Sequence, residues 1–177
     1  MTEKDECKAI KQLLRTHFKQ QRAKIFCPQK NKKIIENIKN SNLYKNAYNI
    51  MLFYPIGSEI DLRELLFLDS KEKNFFLPKT IETKIFVCPY VDISSLKEGC
   101  YKIKEPCTQP VTPEILDLII IPALSVDKQK NRLGYGKGCY DRLLNSLNKK
   151  IPTLLPIFSE LISETILPTD EYDVPVD

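Results

Sequence analysis

Over residues 2–25 the apolar positions Ile10, Leu13, Leu14, Phe18 and Ile25 recur at helical spacing, with Lys11, Arg15, Lys19 and Arg22 as a second stripe. The pattern predicts an amphipathic helix with one basic face. A second helix is expected over 29–45, with Ile34, Ile35, Ile38 and Leu43 turned inward. Helical periodicity then gives way to continuous apolarity in NIMLFYPI (49–56), which reads as a buried strand. DLRELLFL (61–68) reads as a short helix, and NFFLPKTI (74–81) and KIFVCPYV (84–91) as strands. LDLIIIPAL (116–124) reads as the most central strand and PTLLPIFS (152–159) as another. The stretch 94–113, with Pro106, Pro110 and Pro113, is expected to be a long surface connection.

Strands that are apolar throughout are covered on both faces, the usual condition of a parallel sheet between helix layers. The fold class expected is therefore α/β: a single domain over residues 1–177, three-layered, with a mainly parallel central sheet and helices on both faces. No apolar run approaches the ~20 residues that a membrane span needs. The six cysteines are irregularly spaced with no C-x-x-C pair, and the chain opens MTEKDECKAIK, without a signal-peptide core. A reducing cytoplasm is the expected setting.

Charge narrows the chemistry. A net charge of +4, spread along the chain, suits small anions better than nucleic acid or a membrane surface. With one histidine, His17, zinc sites and histidine-centred acid–base catalysis have little to build on. Three of only five glycines stand in NRLGYGKGCYDR (131–142), as Gly134, Gly136 and Gly138. Since each glycine costs roughly 0.5–1 kcal/mol against alanine in regular structure, something local must repay them. The following CYDRLLNSLNKK (139–150) predicts a helix with Tyr140, Leu143, Leu144 and Leu147 on its buried side, so the loop lies at a positive helix end. Its N–H groups can turn in around a phosphate, with Arg132 and Lys137 adding charge. Asp141 among these cations suggests a magnesium ion between carboxylate and phosphates, hence Mg-nucleotide. P-loop, dinucleotide and kinase glycine patterns all fail, at Gly138 or Cys139. The competing reading is an ordinary glycine-rich turn.

RLGYGKGCYDR, preceded by DLIIIPALSVDKQKN, resembles the signature of the 5-formyltetrahydrofolate cyclo-ligase family. Lys11 and Arg15 on the first helix, YPIGSEIDLREL (54–65) and LPTDEYDVPVD (167–177) fall in family order. The resemblance implies an α/β fold and closure of 5-formyltetrahydrofolate to 5,10-methenyltetrahydrofolate, using ATP and Mg²⁺ and releasing ADP and phosphate. Further implied are ATP contacts from Lys11, Arg15, Arg132, Gly134, Tyr135, Gly136, Lys137, Gly138, Cys139 and Tyr140, with Lys137 and Arg132 acting in catalysis. Tyr54, Glu59 and Tyr140 would meet the folate, and Asp141 and Asp173 would hold the metal. Cys139 departs from the family's usual tyrosine, and Ala123 and Lys130 from its common glycines. Read from the residues alone, Glu59 is equally placed to cap the helix beginning at Leu62. A non-catalytic nucleotide- or folate-binding module is the alternative function. The substrate is expected to be the only partner of a monomeric protein.

Overall fold

The computed structural model describes residues 3–99 and 102–177. Helix α1 runs Glu3–Ile25, α2 Pro28–Asn40 and α3 Asn42–Asn46. The expected single helix over 29–45 is thus two. Ser41 leaves the helical region at ψ 143°, and its hydroxyl accepts from the Tyr44 N–H, capping a new helix. The break rotates the following turn so that Tyr44 is buried and Leu43 exposed.

The main sheet has the order β3-β2-β1-β6-β9, built from β1 (Asn49–Met51), β2 (Asn74–Ile81), β3 (Lys84–Pro89), β6 (Leu118–Ile120) and β9 (Thr153–Leu154). Pairings β1–β2, β1–β6 and β6–β9 are parallel, and β3 is an antiparallel edge. The middle strand is β1 rather than β6, although Leu118, Ile119, Ile120 and Ile121 are wholly buried. Strand pleat explains the continuous apolar runs. Ile50, Leu52, Phe75, Leu77, Leu118 and Ile120 point to the side packed by α1, α2, α3 and α4 (Arg63–Leu68). Met51, Phe76, Ile119 and Ile121 point to the side packed by Leu143 of α5 (Cys139–Asn145). The three layers expected are therefore present.

Two additions were not expected. Within 94–113, β4 (Leu96–Glu98) and β5 (Lys104–Pro106) form an antiparallel pair. These strands are short, charged and end on a proline, so no period-2 apolar pattern announces them. After β6, β7 (Ser125–Asp127) and β8 (Arg132–Leu133) form a hairpin, and β10 (Ile162–Ser163) adds to β7. Asp127 ties this hairpin together: its carboxylate accepts from the N–H groups of Gln129, Asn131 and Leu167 at 2.8–2.9 Å and from the Asn131 amide. Lys130 at the tip has φ 68°, a left-handed conformation that costs a non-glycine residue strain. The hairpin delivers Arg132 and the glycine loop to the carboxyl end of β6. Among the described residues, no helix is long and apolar enough to cross a membrane.

Ile120→Ala, which empties a site closed on both sides, is expected to lower unfolding free energy by about 2–5 kcal/mol, read as a lower urea midpoint with unchanged fold. Burial pushes the Asp127 carboxyl up, but bonds from Asn131, Leu167 and Gln129 outweigh it and hold it below the usual range. Its stabilisation is therefore complete above the unfolded value of about 3.9 and lost as pH falls through the folded one. Urea midpoints at pH 7 and pH 3 should differ less in Asp127→Asn than in the parent; an equal difference would mean that Asp127 carries none of the acid sensitivity.

Candidate active site

Helix α1 lies across the glycine loop with its cations inward. Lys11 and Arg22 are buried, 7% and 5% exposed, while Ile10 and Leu13 are 49% and 73% exposed. The inner face is thus Lys11, Leu14, Arg15, Phe18, Arg22 and Ile25, a helical stripe in which basic residues alternate with apolar ones. The expectation that Ile10 and Leu13 join the core is corrected. Each buried cation instead finds an acceptor across the interface, which is what makes its burial affordable.

The partners of Lys11 are Asp170, at 2.8 Å, and Asp173. Desolvation lowers the Lys11 pKa, yet these two carboxylates reverse the effect and raise it. Arg15 Nε donates to the Gly134 carbonyl at 3.1 Å, and burial lowers its pKa in spite of Asp173 and Asp170. Arg132 donates to Asp141 at 2.6 Å and to the Val174 carbonyl, while the Val174 N–H donates to Asp141 Oδ1 at 3.1 Å. Asp173 and Asp141, the two residues expected to bind metal, therefore meet on one segment, 170–174, each beside a cation expected at the phosphates. Sequence reading missed Asp170, for which nothing but position in the terminal acidic run gave a signal.

Within the loop, Gly136 has φ 92° and Gly138 φ 62°, whereas Gly134 has no such requirement and open space where a side chain would stand. A Cβ on Gly136 would come within 3.0 Å of the Arg15 guanidinium carbon. Two of the three glycines are thus explained by backbone conformation, and one of those also by close approach. Among the described residues, no backbone carbonyl accepts from the N–H groups of 135–138. Lys137 is exposed at the tip, and its carbonyl is gripped by Arg142 from the first turns of α5. The helix expected over 139–150 ends at Asn145, leaving Lys149 and Lys150 outside it. Cys139 is half-buried; burial pushes its thiol up despite Arg142 and Lys137 nearby, which argues against a nucleophile.

Tyr135 reaches Glu59 and Arg22. Its hydroxyl donates to Glu59 and accepts from Arg22 at 2.5 Å, and its ring lies 5.5 Å from the Arg22 guanidinium. Glu59 is 6% exposed, takes the Ile56 N–H at 2.8 Å, and does not cap α4; Asp61 does that work at the Arg63 N–H. Burial raises the Glu59 pKa, with the bonds from Tyr135 and Ile56 and the charge of Arg22 opposing it. Tyr140 is pushed up by burial and then by the charge of Glu59. Tyr54 rests half-buried on the core with its hydroxyl toward Arg63, outside this network. Two spaces adjoin these residues. A cleft of about 360 Å³ is lined by Gln12, Arg15, Thr16, Lys19, Gln20, Leu124 and Tyr135. A small recess is lined by Arg22, Phe53, Glu59, Ala123 and Phe158 among others.

The cleft offers Arg15 and Lys19 as cations and Gln12 and Gln20 as amide donors, a donor set that fits a polyphosphate. Among the described residues no cluster of three or more metal-ligating side chains exists. Magnesium takes one or two carboxylates together with phosphate oxygens and water. Both Asp141 bonds fall on Oδ1, so Oδ2 is the oxygen left for a hard cation.

Fold and site together define an α/β protein in which a phosphate-type cleft and a buried carboxylate share one glycine loop. Residues 7–177 match the model of the 5-formyltetrahydrofolate cyclo-ligase family, and the chain belongs to that family. It is 29% identical over 178 residues to a 5-formyltetrahydrofolate cyclo-ligase of Haemophilus influenzae, covering 94% of both chains. The solved 5,10-methenyltetrahydrofolate synthetase of Aquifex aeolicus superposes with a TM-score of 0.84 at 32% identity, over 95% of this chain and 87% of that one. The corresponding synthetase of Mycoplasma pneumoniae gives 0.74 at 25% identity, over 94% and 95%.

Gly134→Ala should be tolerated, with a melting temperature within about 2 °C of the parent. Gly136→Ala should lower it by several degrees, since a strained φ and a displaced Arg15 cost about 1–3 kcal/mol together. Equal melting temperatures would show that the loop relaxes freely.

Proposed function

We propose that the chain carries out the reaction of its family, closing 5-formyltetrahydrofolate to 5,10-methenyltetrahydrofolate at the expense of ATP. The observation that carries this reading is the glycine loop itself: Gly134 is held by Arg15, which lines the cleft, and the next residue, Tyr135, lines the cleft as well and donates to Glu59. A nucleotide in the cleft and a formylated pterin at Glu59 would thus both meet one short segment.

In the proposed reaction the formyl oxygen attacks the γ-phosphorus, the β–γ bridging bond breaks, and ADP leaves. The neighbouring folate nitrogen then attacks the activated carbon and gives up its proton, and phosphate departs with the former formyl oxygen. The residues of this chain bind and orient. Arg15, Lys137 and the N–H groups of the loop bear on the terminal phosphate, with Arg132 and Lys11 behind them. Such groups, fixed where negative charge develops, lower the barrier without reorganising. Mg²⁺, when bound, would neutralise phosphate charge, with Asp141 and Asp173 as its carboxylates. Glu59, Tyr140 and Tyr54 would hold the folate. Ring closure is intramolecular, and orientation alone can supply effective molarities of about 10⁵–10⁸ M. The absence of any histidine from the site is consistent with chemistry that needs no strong general base.

The test is direct: purified protein with 5-formyltetrahydrofolate, ATP and Mg²⁺ should develop the absorbance of the methenyl product, and should not without ATP. Ligand binding with no product would favour the binding-module alternative. Lys137→Ala, which removes a charge-assisted contact worth about 1.5–3 kcal/mol, should cut kcat/KM for ATP roughly 10–100-fold without changing the fold. Glu59→Gln should raise KM for the folate and spare ATP; the reverse pattern would exchange the two sites.

A further inference from the structure

Arg22 enters none of the binding or catalytic roles proposed so far, yet it lies on the inner face of α1, 5% exposed, in a helix whose outward cations Lys8 and Lys19 are exposed. A guanidinium is taken out of water only where its donors are met. Here Nε donates to the Ser58 hydroxyl at 3.2 Å, Nη1 donates to the Tyr135 hydroxyl at 2.5 Å, and the plane lies near the Tyr135 ring at 5.5 Å. Ser58 is the immediate neighbour of Glu59, and Tyr135 donates its own proton to Glu59. Arg22 therefore grips the carboxylate's segment and its hydrogen-bond donor at once, from a helix that also carries Arg15 to the Gly134 carbonyl of the same loop. Helix, loop and carboxylate form a closed ring of contacts.

We infer that Arg22 is the positioning residue of this site: through Tyr135 and Ser58 it fixes the Glu59 carboxylate for the folate and joins that side of the site to the phosphate-side loop. The inference rests on the reading of Glu59 as the folate-binding carboxylate. Its physical content is that a phenol hydroxyl accepting from a guanidinium can only donate onward, so Arg22 orients the Tyr135 proton toward Glu59. The same cation opposes the upward pull of burial on Glu59. The groups facing Glu59 are Arg22 from α1, Tyr135 from the loop, Tyr140 from α5 and the Ile56 N–H from its own turn. Arg22 is the only cation of that set.

The experiment compares Arg22→Met, Arg22→Lys and Tyr135→Phe with the parent, by steady-state kinetics over pH 5–9. Arg22→Met should raise KM for 5-formyltetrahydrofolate about 10-fold or more while KM for ATP stays within about 2-fold. The acid limb of kcat/KM for the folate should move to higher pH, because Glu59 without its cation takes up a proton more readily. Arg22→Lys should bring the limb back toward the parent position while leaving KM raised, since it restores charge without the fork. Arg22→Met combined with Tyr135→Phe should be little worse than either alone, as both break one chain of contacts. An unmoved acid limb with both KM values raised equally would reduce Arg22 to a prop for α1 and overturn the inference. A substrate-free measurement keeps the two readings apart: urea midpoints of Arg22→Met, Glu59→Gln and the double variant, at pH 5 and pH 8. Non-additive midpoints with no turnover in the parent would sink the proposed reaction and leave the Arg22–Glu59 link standing. Additive midpoints would sink the link whatever the activity.

Discussion

The structure depends on the burial of cations along the inner face of α1. Lys11, Arg15 and Arg22 stand where a helix packed on a sheet ordinarily presents leucine, and each is accommodated only because a separate segment brings it an acceptor. Lys11 meets the terminal acidic stretch, Arg15 a carbonyl of the glycine loop, and Arg22 the loop's tyrosine. Removing a partner from such a pair strands a buried charge, which costs more than the pair contributes when intact. The helix, the loop and the chain end are therefore mutually required, although the helix is separated from the other two by more than a hundred residues in sequence.

The chain end earns its place by the same logic. Residues 167–177 run past the hairpin, α5 and β9: Leu167 donates to Asp127, Val176 to the Lys130 carbonyl, Asp177 accepts from Thr153, and Val174 bridges Arg132 and Asp141. With no regular structure of its own, this segment places Asp170 and Asp173 over Lys11 and fixes the side chain of Arg132. Two of the four α1-facing and hairpin cations are held by it. The acidic run is a structural clasp for the cationic face.

Much of the architecture was legible because burial on both faces leaves an unmistakable trace: the runs 49–56 and 116–124 could be placed between helix layers from apolarity alone. The glycine loop was legible through its composition. What escaped has a common cause, local features whose stability comes from tertiary partners. The break at Ser41 depends on a cap that competes with an otherwise helical sequence. The β4–β5 and β7–β8 ladders are polar or very short and are defined by what they pair with. The inward face of α1 was misread at Ile10 and Leu13 because hydrophobicity normally outranks charge in choosing the buried side, and no periodicity reveals that Asp170, Asp173 and Tyr135 will arrive opposite. Arg22 and Asp170 were missed as parts of the site for that reason.

Charge balance within the site sets a condition on any anion that enters it. Lys11 and Arg132 are already neutralised by carboxylates, whereas Arg15 is bound only to a carbonyl and Lys137 is exposed. Arg15 and Lys137 therefore carry the field that a polyphosphate first meets, and the two paired cations can act on it only by sharing or exchanging their acceptors. A divalent cation that took up the charge of Asp141 would leave Arg132 without its carboxylate, whereas one that took up Asp173 would leave Lys11 paired with Asp170. Glu59 stands apart from this exchange: it accepts from Tyr135, which accepts from Arg22, and neither bond involves Asp141 or Asp173.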